Sequence, residues 1–233
     1  MEKITKSSLF QFEQKDSGLV NDLAIYLDEN FQTIYHFFGM DNDYQKPIIH
    51  IVATKNELDD IYRRFNDLDS NDDVPKWLVG LCASDMQIYY LSLNDYKNTS
   101  HAFDDSEYDS QFDMYKKTIL HEFIHYVHRS FCKKNNCEMS CKFLTEGIAQ
   151  YLSHQKDNDI LCFNYSLEDI LYSNHCYNGW YLVTKYIIEN YSHETLIDLL
   201  KDKNKSEDFL KNIYDDIRKY YLQVEKNGYS RKG

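Results

Sequence analysis

The stretch Ile119-Leu120-His121-Glu122-Phe123-Ile124-His125 combines residue types and a spacing that can do chemistry. Residues four apart on a helix lie one turn above each other, so His121 and His125 can offer two ring nitrogens to one ion. Glu122 points to the side where a water on that ion would sit, the place of a general base. Ile119, Leu120, Phe123, Ile124 and Val127 supply an apolar face that would bury such a helix in a core. Setting imidazoles and a carboxylate into that surface is costly unless they are engaged. The pattern His-Glu-x-x-His is that of a zinc-binding helix carrying its own base.

Two histidines do not close a catalytic zinc site, which usually takes three protein ligands and leaves one position open. The candidate for the third is Glu146, in Leu144-Thr145-Glu146-Gly147-Ile148-Ala149-Gln150. A turn between the two segments is expected to bring the second helix back against the first, with Gly147 and Ala149 permitting a close approach. Gln150, one helical turn past Glu146, shares its face and is suited to orient a ligand by a hydrogen bond. One zinc per chain follows. His128, three residues past His125, is expected outside the ligand set. His50, in a β-branched run, is expected to be a core or edge histidine.

The elements that must position these groups are legible in outline. Apolar residues at helical spacing from 17 to 40 give a long amphipathic helix. Residues 47–53 read as a strand, followed by a helix from Thr54 to Phe65 with Thr54 and Glu57 as a capping box. Residues 77–83 and 87–93 read as a hairpin turning at Ser84-Asp85. The metal-site helix is expected from about 110 to 131, and a second one through 143–152. After that the chain reads as helical: a strongly apolar helix over 177–190, then helices capped by Ser192 and Ser206. Strands come first and helices afterwards, so the fold class is α+β. We expect one domain, with a sheet-containing N-lobe of about 1–131 and a helical C-lobe of about 132–233.

Composition narrows the partners. Net charge is −12 over 233 residues, which argues against nucleic acid or an anionic membrane surface. Residues 94–113 hold six carboxylates against the single Lys97, read as a solvated loop leading into the metal-site helix. No apolar run of signal-peptide type follows Met1, and no stretch is long enough to span a membrane, so a cytoplasmic protein is expected. The six cysteines then read as thiols in a reducing compartment. Cys132, Cys137 and Cys141 do not have the paired C-x-x-C spacing of a structural zinc knuckle.

With both metal segments in view, the chain resembles the gluzincins, zinc metallopeptidases in which His-Glu-x-x-His is followed about twenty residues later by a glutamate ligand. The resemblance lies in His121 to His125 and in Leu144 to Ala149, which are similar to the two motifs of the small peptidase-MA-like members and of the catalytic domain of the large zinc aminopeptidases. The resemblance implies a zincin-like fold and the hydrolysis of peptide bonds in a peptide or protein substrate. It makes His121, His125 and Glu146 the zinc ligands and Glu122 the base. It also implies that Gly80, Leu81 and Cys82 form a substrate-lining edge strand, and that Tyr177-Asn178-Gly179-Trp180 begins a helix presenting a catalytic tyrosine. Tyr177 is thereby the expected oxyanion donor, with His175 and Tyr181 as rivals. The chain lacks the Gly-x-Met-Glu-Asn signature that holds a substrate's free amine, having Gly80-Leu81-Cys82-Ala83-Ser84 in its place. The local string from His121 to His128 also resembles the clostridial neurotoxin proteases, whose glutamate ligand lies farther downstream.

Two other readings use the same residues. A peptide-deformylase-like hydrolase would take Cys82 as third ligand and leave Glu146 without a role. A zinc-containing peptide-binding protein would keep the groove and have no need of Glu122.

Overall fold

The computed structural model describes residues 1–99, 110–159 and 161–229. Two compact units are formed, one of Met1–Phe131 and one from Cys132 onward. The first is built on a five-stranded mixed sheet, so the class is α+β.

Strands β1 (Glu2–Ile4), β2 (Leu9–Gln11), β3 (Ile48–Val52), β4 (Gly80–Cys82) and β5 (Ile88–Leu91) stand in the order β1-β2-β3-β5-β4. The outer pairs β1–β2 and β4–β5 are antiparallel, and the inner pairs β2–β3 and β3–β5 are parallel. Parallel neighbours need a crossover. Helix α1 (Ser17–Phe37) lies between β2 and β3 in sequence, and α2 (Lys55–Phe65) follows β3. All four residues of β5 are buried, so it reads as a continuous apolar run without alternation. Against one face Leu58 of α2 joins Val52, Leu78, Ala83, Tyr89 and Leu91 in a cluster. Toward the other lies α4 (Gln111–Asn135), which is tied to β5 by two tyrosines. The Tyr90 hydroxyl donates to the Tyr115 carbonyl (2.7 Å) and the Tyr115 hydroxyl to the Leu91 carbonyl (2.8 Å).

The first two strands, each three residues long, were not expected from the sequence, because so short a run carries no periodicity. Asp28 of α1 holds the turn between them, accepting from the Ser7 amide (2.8 Å), the Thr5 hydroxyl (3.0 Å) and the Lys6 amide (3.2 Å). Burial raises the Asp28 carboxyl, but these donors outweigh it and leave it below its ordinary range. Thr54 caps α2 as expected, accepting from the Glu57 amide, whereas the Glu57 carboxylate reaches back to Ala53 and not to Thr54. The short helix α3 (Leu93–Tyr96) was also not foreseen. Of the acidic stretch 94–113, residues 100–109 lie outside those described.

From Cys132 onward the described residues form α5 (Lys142–Leu152), α6 (Leu167–Tyr172), α7 (Tyr177–Asn190), α8 (His193–Leu200) and α9 (Lys203–Tyr229), after the end of α4. Helices α5 and α7 pack closely because Gly147 has no side chain. A Cβ there would fall 2.2 Å from Thr184 Oγ1 and 2.6 Å from the Trp180 carbonyl. Gly147 therefore serves the approach of α5 to α7, a use the sequence did not reveal. Ser192 caps α8 as expected, accepting from the Thr195 amide. Ser206 is not a cap. It lies fully buried one turn inside α9, donating to the Leu199 carbonyl (2.6 Å) and meeting Ser140 Oγ at 3.1 Å.

Candidate metal centre

Helix α4 displays its apolar residues inward, with Ile119, Leu120, Phe123, Ile124 and Val127 fully buried. That fixes the rotation of the helix, and the remaining stripe carries His121 and His125. His121 is 8 % exposed, and its Nε2 meets the Nε2 of His125 at 2.9 Å, the rings standing at 82°. Tetrahedral zinc at about 2.0–2.1 Å from each nitrogen would hold two such atoms about 3.3 Å apart, so the pair stands close to ligating separation. The part-buried Glu146, on α5, completes a group in which one ligand atom from each residue lies within 4.8 Å of the others. Two imidazoles and one carboxylate are the donor set of a three-ligand zinc site. These three residues can hold a metal ion.

Glu122, the next residue after His121, is held by the sheet. The backbone N–H of Cys82 donates to its Oε2 at 2.8 Å. The sheet explains why that donor is available. In the antiparallel ladder Val79 and Ala83 bond inward to Leu91 and Gln87, and Leu81 sits opposite Tyr89. Polar groups alternate along such a strand, so those of Gly80 and Cys82 turn outward, to the edge of the sheet. Gly80 is needed for the approach, since a Cβ there would lie 2.5 Å from the Tyr90 ring and 3.2 Å from Glu122 Cγ. Gly80, Leu81 and Cys82 thus form the edge strand beside Glu122.

The Cys82 thiol lies outside the ligand group. Burial pushes it up to about 12, with the Arg129 guanidinium beside it acting in the opposite sense. Arg129 was not singled out by the sequence reading, although it prolongs the 121–125 stripe by one further turn. Gln150 is 2 % exposed and neither of its amide atoms has a protein partner, so the face of α5 that carries Glu146 holds an unsatisfied polar group one turn on. His128 is 1 % exposed and stacked on Phe38 (5.2 Å between centroids), outside the ligand group. His50 stacks on Tyr89 and bonds Gln87, away from the metal group.

Of the candidate oxyanion donors, Tyr177 is the first residue of α7, half-buried, its ring edge-on to Trp180 at 5.1 Å. His175 is exposed in the preceding turn. Tyr181 is 3 % exposed and its hydroxyl meets Asp157 at 3.3 Å. None of the six cysteines forms a disulfide, and among the described residues Cys132, Cys137 and Cys141 do not converge on a metal site. No helix among the described residues is long and apolar enough to cross a membrane.

Compared with protein-family models, curated proteins and solved structures, the chain matches none.

Proposed function

We propose that the protein is a zinc metallopeptidase of gluzincin type, with His121, His125 and Glu146 as ligands of one zinc per chain. The observation that carries the reading is the meeting of these three ligand atoms within 4.8 Å, next in sequence to a glutamate held by a sheet edge. Zinc bound there supplies Lewis acidity, polarising a scissile carbonyl and making a nearby water easier to deprotonate.

The chain's own residues do the rest. Glu122 takes a proton from the attacking water and passes it to the leaving nitrogen, so that one carboxylate acts as base and then as acid. The Cys82 amide fixes the rotation of that carboxylate. The outward N–H and C=O of Gly80 offer an extended peptide the pairing of an added strand, which would lay its backbone along β4. The oxyanion donor is assigned to Tyr177, half-buried at the start of α7. Tyr181, by contrast, is buried on Asp157.

Elemental analysis and turnover of Glu122→Gln test the reading together. The variant is expected to keep one zinc and its fold while losing hydrolysis by about 10²–10⁴-fold. Unchanged turnover on a cleaved peptide, or purified protein that takes up no zinc, would refute it.

A further inference from the structure

We infer that Arg129 anchors an anionic group of the substrate: a carboxylate, either the chain's C-terminus or an acidic side chain, on the peptide that runs along β4. The inference rests on the peptidase reading above and names the class of substrate it would select.

The position comes from α4. Residues 121, 125 and 129 follow one another at intervals of four, so Arg129 continues the stripe of the two histidines. One such interval rises about 6 Å. Helical side chains lean toward the N-terminus, so the long Arg129 chain covers the turn that holds His125. Its guanidinium lies beside the Cys82 thiol, near enough to act against the burial that pushes that thiol up. The same residue's backbone N–H holds Glu122 at 2.8 Å. The cation is therefore set against the strand that fixes the general base.

Charge supplies the second line. The chain carries 38 Asp and Glu against 26 Lys and Arg, and other cations have found acids: Arg63 on Asp60, Lys116 on Asp113, Lys205 on Asp198. Among the described residues no carboxylate pairs with Arg129. It is part-buried, and its Nε is buried with no partner. A guanidinium has five N–H donors in a planar fork that matches a carboxylate, and a neutral thiol beside it offers no counter-charge. Withdrawing such a charge from water without a counter-ion is unfavourable. What completes it is an anion, and the open side of β4 is where a peptide would bring one.

Binding to the zinc-loaded, full-length Glu122→Gln protein tests this without turnover. The probes are fluorescein-labelled alanine-based pentapeptides: one with a free C-terminal carboxylate, one amidated, and amidated versions with a single Glu at each position in turn. A free-acid or single-Glu peptide is expected to bind about ten- to a hundredfold tighter than the neutral amide, the size of a charge-assisted hydrogen bond. Which arm gains identifies the terminal or the side-chain carboxylate. Adding Arg129→Gln is expected to abolish that gain while the neutral amide binds within about twofold of before. Adding Arg129→Lys, which keeps the charge and loses the fork, retains part of it and serves if the Gln variant does not fold. Equal affinity for all probes, or a preference that survives Arg129→Gln, overturns the anchor and leaves the peptidase reading standing. Failure of the zinc-loaded protein to bind any of the peptides overturns both.

Discussion

Glu122 owes its orientation to a backbone amide, and Cys82 thereby has two different atoms with two different duties. Its N–H steadies the carboxylate, while its buried thiol lies beside Arg129, outside the ligand group. The rival third ligands follow from that division. Glu146→Ala is expected to weaken zinc binding by at least tenfold, whereas Cys82→Ala changes it by less than about threefold, since the backbone donor survives the substitution. Equilibrium competition with a chelator of known affinity measures both. The reverse order would return the site to a cysteine-ligated hydrolase. The histidine pair and the glutamate beside it could be read directly from the sequence because helical spacing alone fixes their relation. The part played by Cys82 could not, since its partner is forty residues away and the link runs through the backbone.

At the scale of elements, the two most constrained glycines do different work. Gly80 lets β4 lie beside Tyr90 and Glu122, and Gly147 lets α5 lie on α7. Gly147→Ala would set a methyl carbon 2.2 Å from Thr184 Oγ1, with the Trp180 carbonyl 2.6 Å away. Because one of those atoms is backbone, relief requires the helices to move apart, and a loss of about 1–3 kcal/mol is expected. Gly18 is the control. A Cβ there meets nothing within 4 Å, so Gly18→Ala is expected to be neutral or slightly stabilising. Urea denaturation midpoints of the two variants decide it, and equal midpoints would mean that α5 and α7 yield without cost. The sequence marked Gly147 as a site of close approach but assigned it to the wrong neighbour. Spacing tells which face of a helix is small, but not what packs there.

For the whole molecule, metal and stability are linked. An ion that binds only the folded chain stabilises it by about 4 kcal/mol at a thousandfold excess over Kd. For a chain of this size about 2–4 °C accompanies each kcal/mol, so saturating zinc should raise Tm by about 8–16 °C, and a chelator should reverse the rise. His121→Ala is expected to melt at one temperature with or without zinc. A wild-type Tm indifferent to both zinc and chelator would count against the ligand group. Lowering the pH should erode the rise, because each imidazole must be neutral to ligate and protons compete for the same nitrogen.

The sequence by itself determined whatever depends on local period and residue chemistry. That includes α4 with its inward apolar face, the two histidines a turn apart, the Ser192 cap, the hairpin of β4 and β5, and the α+β class. Each of these is set by contacts within a few residues, which a one-dimensional pattern records. Only the tertiary structure decided the rest: the short strands β1 and β2, Ser206 buried one turn inside a helix, Gly147 against α7, and the edge strand that presents Cys82 to Glu122 and Arg129. Those depend on groups far apart in the chain, whose pairing is set by packing and by the need of each buried polar atom for a partner.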